Sequence, residues 1–378
     1  MIFARPSRLS VRHSLSVRHS LFLLILFGSL MRLPALAQRA KDQAREKALR
    51  AVSIMDEGQV DEAIALLNEA RRLDPSNTDY TYELGIAYYY KKDYQQALQC
   101  YRSIADHPRF NDRGCQMMGN IYDLMGDTTA AIATYEAGLK RFPRSGPLYL
   151  ERGNMHLIAK RYLKALDLYE QGIAADPAFS SNYYRAARIY CNSSERGWGL
   201  IYGETFMNLE RSSARTAEIS KLLYDTYQEG LYADSDTSAG VRLSQRMVMG
   251  PPKGKKIVLP FMLPYTMVMT LSLTPQLSVL RKKPYSISTL SDIRSGFVRF
   301  WFEQKHDKDH PSALFDYQQR LAKAGHLEAY NYWLLMKGQE TEMTAWQDSH
   351  LQEWKAFVTW YTENPLKLDE KHTVVEAR

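Results

Sequence analysis

The sequence predicts an all-α fold: a stack of paired helices, followed by a further helical domain. Gly85, Gly119 and Gly153 stand 34 residues apart, as do Ala63, Ala97, Ala131 and Ala165, and a fixed period of this length is the mark of a helical repeat array. Offsets inside the unit are fixed too, since Gly119 leads to Ala131, Tyr135 and Pro143 as Gly153 leads to Ala165, Tyr169 and Pro177. Beyond the array, the stripes Phe297-Phe300-Trp301 and Leu351-Trp354-Val358-Tyr361 have the three-to-four spacing of helices that bury one face.

The chain opens on a segment outside that pattern. Arg5, Arg8, Arg12 and Arg18 precede an apolar run from Leu21 to Met31, and no acid appears before Asp42. The run is too short to span a bilayer, and Ala35-Leu36-Ala37 supplies small residues for a peptidase, so residues 1–37 read as a secretory signal cut near Ala37. The mature protein is therefore expected in the periplasm or outside the cell. The formal charge of +7 falls to +2 once the five Arg of that leader are removed. Nucleic acid then loses its main argument as a partner.

The repeats occupy residues 38–210, with units near 44–77, 78–111, 112–145, 146–179 and a degenerate 180–210. A small residue lets the first helix of a unit approach the second, the later Ala lets them cross closely, the aromatic fills the gap, and Pro ends the pair. Residues 112–145 carry Cys115, Met118, Gly119, Tyr122, Ala131, Tyr135 and Pro143, with Gly126 at the turn. Residues 78–111 carry Leu84, Gly85, Tyr88, Ala97 and Tyr101, and 146–179 carry Tyr149, Gly153, Ala165, Tyr169 and Pro177. The first unit keeps Gly58, Ala63, Ala70 and Pro75. The last begins with Tyr183, Ala187 and Tyr190, then has Gly199 and Gly203 where Ala and an aromatic belong.

In these positions the sequence resembles the tetratricopeptide repeat (TPR) family, whose unit is W-x2-L-G-x2-Y, then A-x3-F, then P. The C-terminal part resembles, more loosely, uncharacterised exported bacterial TPR proteins. The resemblance implies an α-solenoid whose first helices line a concave wall able to receive a peptide or protein. It also implies which residues face that wall: Tyr82, Ile86 and Tyr89, then Gln116, Asn120 and Asp123, then Leu150 and Asn154, and finally Tyr184 and Arg188. Stacked amides at Asn120 and Asn154 would bond an extended peptide backbone, with neither residue packing between helices. Only Asn120 and Arg185 fall where family members that clamp a C-terminal carboxylate carry Lys and Asn.

After the repeats, residues 211–246 read as a capping helix and linker, with Ile219, Leu222, Leu223, Tyr227 and Leu231 at helical spacing. A loop follows at Met249–Lys256. Ile257 to Leu280 holds no charged residue, but Pro260, Pro264 and Pro275 interrupt it, so residues 247–285 read as a buried connector rather than a membrane span. Residues 286–378 hold five of the six Trp and read as an aromatic-rich helical domain, with a helix, a turn at Gly325 and a second helix between Leu314 and Trp333.

Chemistry is sparse. Cys100, Cys115 and Cys191 lack CxxC spacing, so buried free thiols are expected, with a Cys100–Cys115 bridge left open. His306 and His310 stand four apart beside Asp307 and Asp309, but Pro311 follows and the metalloprotease order is missing, so a solvated turn is expected there. Nucleophile-elbow, phosphate-loop and dinucleotide fingerprints are all lacking. The expectation is a protein-binding scaffold of the bacterial cell envelope without cofactor or metal. The alternative is an envelope enzyme, a metal-dependent hydrolase using His306 and His310, with the repeats recruiting substrate.

Overall fold

The structure, a computed structural model, describes residues 36–235, 238–244, 265–280 and 283–368. Residues 1–35 of the predicted leader, the Met249–Lys256 loop, and Pro260 and Pro264 of the apolar connector lie outside the described residues, while Leu36 and Ala37 are helical. Contacts divide the chain into two compact units, residues 1–131 and 132–378.

The first unit contains α1 (residues 36–56), α2 (Val60–Leu73), α3 (Asp79–Tyr90), α4 (Tyr94–Ile104), α5 (Asp112–Leu124) and the opening turn of α6 (Thr128–Arg141). Two small cores hold it. Ala44, Ala51, Ala63, Leu67 and Leu84 form one, and Ala97, Leu98, Tyr101 and Ile121 the other. The predicted exchange of small for large is present: a β-carbon added at Gly85 would sit 2.8 Å from the buried Tyr101 ring. Gly85 thus lets α3 lie directly on that ring, a fit that overpacking would disturb.

The second unit continues with α7 (Gly146–Ile158), α8 (Tyr162–Ala175), α9 (Ser180–Cys191), α10 (Arg196–Leu209) and α11 (Ala214–Gly230). Gly153 against Tyr169 repeats the Gly85 arrangement, its absent β-carbon falling 2.3 Å from the ring. Second helices begin at Val60, Tyr94, Thr128, Tyr162 and Arg196, each 34 residues after the last. First helices begin at Asp112, Gly146, Ser180 and Ala214 on the same step. α11, expected as a cap, therefore starts in register as the first helix of a further unit.

What enforces the period is the turn inside each pair. Gly58, Lys92, Gly126 and Lys160 all have positive φ, of 87°, 63°, 81° and 57°. In each, the amide of that residue bonds the carbonyl three back and the next amide the carbonyl five back, as in Lys92 to Tyr89 at 2.9 Å and Asp93 to Tyr88 at 2.9 Å. This left-handed helix stop satisfies the orphan carbonyls of the last turn. Asp93 and Asp127 then accept from the amides of Gln96 and Ala130, starting the second helix. Gly325, with φ 76°, makes the same stop between α15 (Ala313–Lys323) and α16 (Leu327–Leu335).

Beyond α11 the chain forms one short element the sequence did not suggest. Strands β1 (Leu231–Ser235) and β2 (Ser238–Val241) pair antiparallel, with Leu231 opposite Val241 and Tyr232 opposite Gly240. The hairpin returns the chain so that the Leu243 carbonyl accepts from the Gly197 amide at 2.8 Å, at the start of α10. α12 (Tyr265–Leu273) and a 3-10 turn (Thr274–Val279) carry the described end of the apolar connector, with Val268, Met269, Leu273 and Leu277 buried. No helix among the described residues is long and apolar enough to cross a membrane.

The remaining helices are α13 (Ile287–Glu303), α14 (His306–Asp309), α15, α16, α17 (Glu340–Ser349) and α18 (Leu351–Glu363). They share one core with α8–α11. On α18 the buried face is Phe357 and Tyr361, with Leu351 and Val358 exposed, so the predicted stripe is displaced. The reason is that only one face of α18 meets α16, and Trp333 and Tyr330 select Tyr361 and Phe357 as ring partners.

α10 is the axis of this core, buried from Gly197 to Asn208. Its Glu204 carboxylate accepts from Arg294 at 2.7 Å, Tyr330 at 2.8 Å and Gln318 at 2.5 Å. Arg294 also donates to Tyr227 and Asn331, each at 2.7 Å. Both charges are buried, so the pair holds only because its hydrogen bonds are met. The Glu204 charge raises the proton affinity of Arg294 against the opposing effect of burial.

Candidate functional site

The residues expected on the first-helix wall fall in different surroundings. Tyr82 is half-buried, its ring edge-on to Tyr101 at 5.4 Å, and burial pushes its phenol pKa up. It lines a cavity of about 210 Å³ with Arg109 and Phe110. Ile86 packs on the α2–α3 core, and Tyr89 lies between Tyr90 and Tyr94 at 6.0 and 6.2 Å. Gln116, Asn120 and Asp123 are half-buried on α5.

In the second unit the side chains are already engaged. Asn154 accepts from the Tyr169 hydroxyl and donates to Glu151, each at 3.0 Å. It therefore ties α7 to α8, and the expectation that its amide does not pack between helices is corrected. Leu150 is half-buried against the large core. Tyr184 is buried rather than open, because α11 supplies Glu218 to its hydroxyl at 2.6 Å and the Arg215 guanidinium 5.0 Å from its ring. Arg188 is exposed, but pairs with Glu218 at 3.2 Å and donates to Tyr184 at 3.1 Å. Residues one unit apart, Tyr184 and Glu218, thus satisfy each other across successive first helices.

A different position stays uncovered. Tyr90, Leu124 and Ile158 are 55, 52 and 73 % exposed. They stand 34 residues apart, each ending a first helix just before the left-handed turn. The sequence carried this signal in its period, one step beyond the expected wall positions. In the second unit a groove of about 920 Å³ is lined by Leu157, Tyr162, Leu163 and Ile189 together with Arg185 and Arg188.

These repeats match family models. Residues 54–92 match a TPR repeat model, and residues 80–108 and 117–178 match two tetratricopeptide repeat models. This is a tetratricopeptide-repeat protein. The TPR protein is 29% identical over 115 residues to the BBSome complex member BBS4 of Bos taurus, a stretch covering 30% of this chain and 22% of that relative. Among solved structures it is similar to a thermophilic TPR protein of Thermus thermophilus, at 18% identity and TM-score 0.39, over 48% of this chain and 98% of that one. It is also similar to PilF of Pseudomonas aeruginosa, at 17% identity and TM-score 0.41, over 51% and 85%.

Where a solvated turn is predicted, the short α14 buries none of its residues, and His310, which follows it, is buried. His310 is buried edge-on against Tyr265 at 5.5 Å, and His306 lies 5.4 Å from Trp301. Burial lowers the His310 pKa. The short α14 turns both imidazoles toward an aromatic cluster, which the sequence could not show because Tyr265 lies 45 residues before His310. No group of three metal-binding side chains occurs among the described residues. Cys100 and Cys191 are buried free thiols, and burial pushes Cys191 up to about 12.

Proposed function

We propose that this TPR protein is a protein-binding scaffold of the bacterial cell envelope. One observation carries the binding reading: three successive units leave a large apolar side chain exposed at the same register position, Tyr90, Leu124 and Ile158. Recurrent exposed apolar surface is what a protein partner covers, and a repeat array offers it at regular intervals. The location rests on the sequence alone, on the Arg-rich leader, the short apolar run and Ala35-Leu36-Ala37.

Photo-crosslinking residues placed at 90, 124 and 158 in cells test the binding reading, with Lys140 on the exposed side of α6 as control. A shared adduct from positions 90 and 124 of the first unit, and an adduct at 158 of the second, neither of them from Lys140, is expected. Adducts no more frequent than at Lys140 refute the reading. N-terminal sequencing of the mature protein tests export. A start within a few residues of Gln38 is expected, and a start at Met1 refutes it.

A further inference from the structure

The groove in the second unit lies at the edge of the array, where the end of α7, the start of α8 and the face of α9 meet, rather than on the first-helix wall alone. Its apolar part is open: Leu163 is 76 % and Tyr162 50 % exposed, both on the opening turn of α8. Leu157 and Ile189, half-buried, complete the floor. Leaving such surface in water is unfavourable, and large exposed apolar residues gathered in one place mark an interaction site.

The rim carries more positive than negative charge. Arg185 lines the groove and has no carboxylate partner among the described residues, while Arg188 spends part of its guanidinium on Glu218. Lys160, Arg161 and Lys164 surround the same turn, again without an ion pair among the described residues. His156 registers the field, since burial and then the neighbouring Arg161, Lys164 and Arg152 lower its pKa. The acid lining the groove is Glu195, and it accepts from the Ser244 hydroxyl at 2.6 Å.

We propose that the groove receives an acidic amphipathic segment of a protein partner, its aliphatic side chains against Tyr162, Leu163 and Ile189 and its carboxylates toward Arg185 and the Lys160 turn. This rests on the reading of the chain as a protein-binding scaffold and names the chemistry of one partner segment. Guanidinium groups suit it because they form forked bonds to carboxylates. A basic segment would bring like charges together over an apolar floor, which is how such a surface rejects wrong partners.

The test is fluorescence anisotropy on the full chain with a short labelled peptide of leucine and glutamate, and a control peptide with lysine in place of glutamate. Saturable binding of the acidic peptide is expected, with weakening as salt is raised. Leu163→Asp and Arg185→Glu should each raise its Kd about tenfold or more, and Arg185→Glu should reverse the preference toward the lysine peptide. Both positions are on the surface, and circular dichroism checks that the variants remain folded. Equal affinity for the two peptides, or a Kd indifferent to both substitutions, overturns the proposal. If a partner crosslinked through residues 90, 124 and 158 binds both variants as it binds the parent, the groove assignment fails and the scaffold reading stands. If those positions crosslink nothing while the acidic peptide binds and responds to Leu163→Asp, the groove stands and the exposed helix ends are not the scaffold surface.

Discussion

Glu204→Ala removes the one carboxylate that faces Arg294 inside the second unit. The Arg294 guanidinium keeps Tyr227 and Asn331 but loses its only counter-ion among the described residues, while Gln318 loses the acceptor of its amide and Tyr330 keeps Asn208. Leaving one member of a buried pair uncompensated costs about 3–5 kcal/mol. Against a typical stability of about 5–15 kcal/mol, that is about a fifth of the total or more. All six Trp, from Trp198 to Trp360, lie in the second unit, so urea unfolding followed by Trp fluorescence reads that unit. The midpoint should fall sharply in Glu204→Ala. Glu204→Met combined with Arg294→Met should recover part of the loss, because neither charge of this pair is then left buried without its partner. A loss in the single variant below about 1 kcal/mol, or a double variant as unstable as the single, would refute the reasoning.

Three further outcomes follow from the packing. Lys92→Gly should stabilise the first unit by about 0.5–1 kcal/mol, because it relieves a left-handed residue at φ 63°, and a lowered thermal midpoint would contradict this. Gly153→Ala should destabilise by about 1–3 kcal/mol, since the new methyl meets the Tyr169 ring at 2.3 Å, and calorimetry showing no loss would argue against the close approach of α7 to α8. His310 has its pKa lowered by burial, so the unfolded chain binds the proton more readily than the folded one. Its neutral form supports the fold above about pH 6.5, and this support is lost as pH falls through that value toward the lower folded pKa. Stability measured between neutral and mildly acidic pH should therefore decline less in His310→Asn than in the parent, and parallel curves would exclude His310 as a contributor.

The repeats were legible because their packing is local and periodic. Gly85 with Tyr101 and Gly153 with Tyr169 lie 16 residues apart inside one helical pair, so the same physical need returns at the same offset. The turns were only half legible. Gly58 and Gly126 announce a left-handed residue, but Lys92 and Lys160 adopt the same φ without any turn signature, and only the period of 34 places them. The buried network of the second unit was not legible at all, since Glu204 meets Arg294 from 90 residues away and no local pattern links them. Distance in sequence hid the site in the same way. Tyr184 matched an open wall position by family resemblance, yet Glu218 and Arg215 of α11 cover it. The exposed ends Tyr90, Leu124 and Ile158 were readable in principle, because they share the repeat period, but apolar residues at helical spacing are ordinarily read as core.

The central claim is that the uncovered apolar ends of the first helices are what this scaffold uses to hold its partner. The most direct measurement is the affinity of the crosslinked partner for a variant carrying Tyr90→Ser and Leu124→Ser in the first unit and, separately, for one carrying Ile158→Ser in the second, each titrated beside the parent protein. All three side chains are more than half exposed, so thermal unfolding should be unchanged while affinity falls by about tenfold or more. Variants that unfold like the parent and bind the partner with undiminished affinity would contradict the account.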